Sequence, residues 1–301
     1  MSVTEELDNL FGEWKEEQKK EDGYDWKKRG IAIDSFTKDG IVCEDVWNKL
    51  DKRKRVLYIL REANGNTTEM GETGKRVDGD NFWFKDCVTK DKKITDSIFH
   101  RIKEMQMLIQ GYNSEAKSGV EVLKEVAYMN LNKRGGGSVV DWKVFNAYIE
   151  RYKEYIKREI AIIKPDIIIC CGTYWSLIDN VFGLYKNGRD KNWKSGNEKD
   201  FYYTNAEIKD EKGEEICRAT IINIYHPSAR ISNENYIKRF EAIYKTKEPS
   251  IDNGVSLGLS KKYIIEKIRN MDESSEEYLE LCDLISNIGE CKEDIKLEDE
   301  R

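Results

Sequence analysis

The sequence predicts an α/β protein, a three-layer α/β/α sandwich around a mainly parallel, four-stranded central sheet. Three observations carry this. Four short apolar runs, Val56–Leu60, Val126–Asn130, Asp166–Cys171 and Thr220–Tyr225, have the length and composition of strands buried on both faces. Stretches of helical spacing separate most of them, which implies right-handed βαβ crossovers. With 301 residues, 39% of them hydrophobic, the chain can bury one sizeable core with appendages.

In chain order, residues 1–50 read as an N-terminal helical and loop extension that packs on the sheet or at its edge. The run VLYIL opens the sheet and leads into Arg61-Glu62-Ala63-Asn64-Gly65. Ile94, Ile98, Ile102, Met105 and Ile109 recur at helical spacing, and so do Trp142, Phe145, Ile149, Tyr152, Ile156, Ile160 and Ile163. Residues 201–219 predict a hairpin with Lys212-Gly213 near its turn. Residues 233–245 and 259–288 read as helices, the second running into an acidic tail. The expected organisation is therefore 1–50, a central α/β domain over 51–248, and a C-terminal acidic helical extension over 249–301.

Composition excludes several classes. No apolar stretch approaches the ~18 residues of a membrane span, and the N-terminus lacks the basic start and apolar run of a signal peptide. A cytoplasmic protein is expected. Seven scattered cysteines and two histidines, with no Cys-x-x-Cys pair, do not offer a zinc or iron–sulfur ligand set. No metal and no cofactor are expected. The net charge of −6 hides an uneven distribution: −5 over residues 1–50, +6 over 51–240 and −7 over 241–301. The blocks read either as solvated surface or as a DNA-binding core between acidic appendages.

In an open parallel sheet, ligands bind beyond the carboxyl ends of the strands. Polar clusters fall at all four predicted ends. His226-Pro227-Ser228-Ala229-Arg230 follows the last strand. Proline sets a turn there. His226 can donate to a carbonyl oxygen of a leaving base, Ser228 can hold a phosphate, and Arg230 can enter a groove. Asn130 closes the second strand and carries the donors and acceptor to read a base edge. Glu62 or Asn64 can orient a water or touch a sugar, and Gly65 permits close approach of backbone. Lys133 and Arg134, in the loop-like run KRGGGS with Gly136, suit a phosphate, although the spacing is not that of a phosphate-binding P-loop. Phe82, Trp83 and Phe84 offer one ring for stacking and two for the core. For each cluster the alternative is an ordinary strand-end turn. Cys170-Cys171 reads as buried strand packing, and His100 as a structural helix residue.

Taken in order, these clusters resemble the uracil-DNA glycosylase superfamily over roughly residues 55–240. REANG is similar to the GEAPG-type first motif of its thermostable branch, with Asn64 in place of proline. IKPDIIICCG is similar to that branch, and HPSAR to the superfamily's leucine-loop motif, with Arg230 at the wedge position. Three features depart from the pattern. The branch's four-Cys iron–sulfur cluster has no counterpart, Ala63 stands where other branches place a water-activating Asp or Asn, and the stretch 66–125 is long. The resemblance implies a monofunctional DNA glycosylase that flips a nucleotide and hydrolyses its N-glycosidic bond. The base would be uracil or a hypermodified phage cytosine. His226, Glu62 and Asn64 would be catalytic. Asn130, Ala63, Gly65, Phe82 and Trp83 would line the base, and Ser228, Arg230, Lys133, Arg134 and Gly136 would hold DNA. No membrane partner is expected. An N-glycosidase of free nucleosides or nucleotides, and a non-catalytic nucleic-acid-binding protein, stand as alternatives.

Overall fold

The structure is a computed structural model of the chain. It describes residues 1–20, 36–51, 53–64, 70–71, 74–75, 83–89, 97–113, 117–136, 139–183, 194–195, 202–209 and 212–246. The chain divides into two compact units, Met1–Tyr244 and Lys245–Arg301. The predicted helix over 259–288 lies outside the described residues.

The first unit opens with α1 (Val3–Lys19), started by a capping box between Ser2 and Glu5. A two-residue strand β1 (Gly40–Ile41) and a short helix α2 (Glu44–Trp47) lead into β2 (Val56–Asn64). A small hairpin, β3 (Met70–Gly71) and β4 (Gly74–Lys75), precedes α3 (Trp83–Thr89), α4 (Ser97–Gln110) and α5 (Gly119–Leu123). Then come β5 (Val126–Gly136), α6 (Trp142–Ile163), β6 (Ile167–Cys171) and a π-helical turn at Ser176–Val181. The unit closes with β7 (Lys194–Ser195), β8 (Tyr202–Lys209), β9 (Glu215–Ile224) and α7 (Asn233–Thr246).

Among the described residues, the main sheet has seven strands in the order β1-β5-β2-β6-β9-β8-β7, not the four expected. The four anticipated runs form its parallel centre, β5-β2-β6-β9. The added strands are antiparallel and lie at the edges. β1 and β7 are two residues each, too short to show any period. β8 and β9 are the predicted hairpin, with Gly213 at φ 81° in its turn. The second strand of that hairpin continues as the fourth parallel strand.

Side-chain alternation along the central strands feeds two apolar clusters. Leu57, Ile59, Ala127, Met129, Ile168, Cys170 and Ile221 face α1, α6 and the π-helical turn. Val56, Tyr58, Tyr128, Ile169, Cys171 and Ile222 face α3, α4, α5 and α7. The crossover from β2 to β5 and that from β5 to β6 run in opposite directions across the sheet. Right-handed connections therefore put their helices on opposite faces. The connections leaving the adjacent strands β2 and β6 pass to opposite faces, so a crevice is expected between the carboxyl ends of these two strands.

Residues 1–50 contribute to this core. Leu10, Phe11 and Trp14 of α1 are buried, and Trp14 stacks on Tyr155 of α6 at 5.4 Å. Asp39 accepts from the Asn130 N–H at 2.6 Å, and Thr37 N–H donates to the Lys133 carbonyl at 2.6 Å. The segment is thus sewn to the outer edge of β5. Among the described residues, no helix is long and apolar enough to cross a membrane.

Candidate active site

β2 and β5 both run past their apolar stretches. Leu60 pairs with Asn130, Glu62 with Asn132 and Asn64 with Gly136, with an irregularity between Glu62 and Asn64. The polar extension holds because its side chains satisfy one another. Asn132 Nδ2 donates to Glu62 Oε2 at 3.0 Å, and Asn132 Oδ1 accepts from the Arg134 N–H at 3.0 Å. Gly135 takes φ 84°, a conformation that favours glycine. A Cβ on Gly136 would overlap the Glu62 carboxylate. The strand ending thus forms a cradle for one carboxylate, and only glycine fits beneath it.

On the other side, Gly172 follows β6 at φ 74° and its N–H donates to the Ile224 carbonyl at 2.8 Å. This bond ties the ends of β6 and β9 together and brings the His226 backbone beside Gly172. His226 is partly exposed. Its Nδ1 accepts from the Ser228 N–H at 3.1 Å and lies 2.7 Å from the Ser228 hydroxyl. An N–H donor on Nδ1 means that the neutral ring carries its proton on Nε2. The imidazole is therefore set to donate from Nε2.

The residue that shapes this loop escaped the sequence reading. Arg101 of α4 is buried, and its guanidinium donates to the Pro227, Ala229 and Ile231 carbonyls at 2.8, 3.0 and 2.6 Å. It also donates to Asn233 Oδ1 at 2.8 Å and lies 4.4 Å from the Tyr236 ring centroid. Tyr236 donates to the Tyr225 carbonyl at 2.6 Å. Arg101 stood inside a helix whose apolar period alone was read. An arginine one place before the core residue Ile102 was the available signal.

Several expected roles need correction. Lys133 and Arg134 are not in a solvent-facing loop. They lie within β5 and are buried, as is Gly136. The Lys133 ammonium sits 2.5 Å from Asp39 and 2.8 Å from Glu159, all three side chains fully buried. The rings of Phe11 and Trp14 lie within 5.3 and 5.4 Å of the same ammonium. Burial holds the Glu159 carboxyl well above the usual carboxylate range, and Asp39 pushes it further. Arg134 packs over Tyr148 at 5.4 Å. These three residues cannot touch a phosphate without unfolding the strand.

Asn130 does not end its strand but lies in the middle of β5, 2% exposed. Its Oδ1 is buried and finds no hydrogen-bond partner among the described residues. Ala63 lies in β2, partly exposed. Asn64 is the last residue of β2, and Trp83 is the first residue of α3. Gly65 and Phe82 lie outside the described residues. Phe84 is a core ring, stacked on Tyr128 at 4.7 Å and tilted against Phe99 at 4.8 Å. Ser228 and Arg230 are exposed, as a DNA contact requires. Cys170 and Cys171 are buried in β6, whereas His100 is exposed on α4.

The rim therefore gathers Glu62 and His226 at the ends of strands two places apart. Adjacent strands are spaced ~4.8 Å, so the two backbones stand roughly 10 Å apart. No family model matches the chain, and no curated protein matches it.

Proposed function

We propose that the chain is a monofunctional DNA glycosylase that hydrolyses the N-glycosidic bond of a flipped, damaged or modified nucleotide. The observation that carries this is His226. Its Nδ1 is occupied by the Ser228 N–H, so its neutral ring donates from Nε2. It stands at the carboxyl rim of a parallel sheet, where such sheets bind ligands.

The chemistry follows from charge. As the C1′–N bond breaks, its electron pair leaves with the base, and negative charge gathers on a base carbonyl oxygen. A neutral Nε2–H donor stabilises that charge without first giving up a proton. The sugar becomes oxocarbenium-like. Water oriented by Glu62 adds to C1′ and its proton passes to the carboxylate. The roughly 10 Å between the two strand ends leaves room for a sugar at one and a base at the other. Exposed Arg230 is suited to fill the vacated stack and exposed Ser228 to meet a phosphate. Uracil and a hypermodified cytosine are the two candidate bases.

One observation favours a second reading. With Lys133, Arg134 and Gly136 buried, three of five expected DNA contacts are gone, and an N-glycosidase of free nucleosides would need none of them. Base release from DNA, with and without excess plain duplex, separates the two. Release that duplex inhibits supports the DNA enzyme, and release only from free nucleosides supports the other. Tight DNA binding without release supports a non-catalytic binding protein.

A further inference from the structure

Among the described residues, four large hydrophobic side chains are exposed: Met1, Val139, Trp142 and Trp175. Met1 is the first residue. The other three share one end of the sheet. Val139 and Trp142 follow β5 and open α6, while Trp175 follows β6 just beyond Gly172-Thr173. The two tryptophans are 46% and 44% exposed. They flank a single polar junction. Ser176, next to Trp175, donates to Asn146 Oδ1 at 2.9 Å, and Asn146 lies one helical turn after Trp142. Asn180 donates to the same oxygen at 3.3 Å. The junction fixes the start of α6 against the π-helical turn, so both rings sit on a rigid base. Neighbouring rings pack edge-on beneath them: Phe145 against Trp142 at 5.5 Å, and Tyr174 against Trp175 at 5.2 Å. The Arg61 guanidinium, at the end of β2, lies 5.9 Å from the Trp142 ring centroid.

We infer that Trp142 and Trp175, with Arg61, form a stacking platform for unpaired nucleotides beside the candidate active site. Two rigid, half-exposed indoles and a guanidinium match the chemistry that binds single strands without sequence preference. Exposed Lys143 adds positive charge to the start of α6. A protein partner would be served by a wider apolar patch, whereas these rings adjoin cations and a polar junction. A duplex keeps its base faces stacked, so the platform predicts a preference for single-stranded DNA. The inference rests on the proposed DNA partner and not on base excision.

The test is fluorescence anisotropy of a labelled oligothymidylate and of a blunt duplex of equal length, at one fixed salt concentration. The full chain should bind the single strand more tightly. Trp142→Ala and Trp175→Ala should each weaken that binding by about 5- to 100-fold. Trp142→Phe and Trp175→Phe, which keep a ring, should recover most of it. Unchanged affinity in both alanine variants would overturn the platform. So would a sedimenting dimer of the full chain that either alanine variant abolishes, because the face would then be a contact between copies. Oligothymidylate carries no excisable base, and abasic-site formation is scored separately on the same proteins. Tryptophan-dependent binding without abasic sites would keep the platform and remove the glycosylase. Abasic sites with tryptophan-independent binding would do the reverse.

Discussion

At the scale of single residues, the proposed reaction turns on two side chains and the backbone that aims them. His226→Ala should lower single-turnover base release by two or more orders of magnitude while DNA affinity, read by anisotropy, stays near the parent's. Near-normal turnover would remove the role. Ser228→Ala should cost far less, because the N–H that fixes the imidazole belongs to the backbone and survives the change. Gly136→Ala tests the carboxylate cradle. Its methyl would displace Glu62, so base release should fall. Overpacking a buried strand should cost ~1–3 kcal/mol in urea unfolding. The placement of His226 and Glu62 at strand ends was legible from position alone. The tautomer and the cradle were not, since both depend on contacts between backbone and side chain that no local pattern records.

At the scale of elements, the 226–233 loop is held by Arg101 from a helix over a hundred residues away. Arg101→Lys keeps the charge but loses the planar fork that reaches three carbonyls. It should lower both thermal stability and base release. Arg101→Ala should cost more, ~3–5 kcal/mol, because it leaves buried carbonyls without donors. The extended β5 shows where sequence reading failed. Its KRGG run looks like a loop because charged and glycine residues rarely continue a central strand. Asp39 makes that continuation possible by neutralising Lys133 inside the core, and Glu159 accepts a further hydrogen bond from its ammonium. Lys133→Met should cost ~3–5 kcal/mol, since it leaves the buried Asp39 carboxylate without its cation.

The same cluster gives a pH dependence. In the unfolded chain Glu159 ionises near 4.5, whereas burial keeps its proton on in the fold. Its contribution to stability is complete below that value and is lost as pH rises toward the folded pKa. Glu159→Gln should therefore flatten the decline in unfolding free energy as pH rises above 4.5. An unchanged slope would contradict the raised pKa.

At the scale of the whole molecule, the four parallel strands and the helices α4, α6 and α7 were readable because buried strands and amphipathic helices carry different periods. The edge strands were not, because two residues have no period. The N-terminal segment was expected to pack on the sheet or at its edge. It also supplies Leu7, Phe11 and Trp14 to one of the two main cores. Burying those three side chains stabilises the fold by roughly 5–9 kcal/mol, comparable to the whole stability of a typical domain. Deleting residues 1–35 should therefore abolish cooperative unfolding, as calorimetry would show.

The most direct measurement of the central claim is alkali cleavage of labelled DNA carrying uracil, hypoxanthine, 5-hydroxymethylcytosine or its glucosylated form. Each is presented in single and double strands, to the parent protein and to His226→Ala. The account predicts abasic sites at one of these bases, formed by the parent and lost in the variant. Equal cleavage by both proteins, or none at any base by a folded parent, would contradict it.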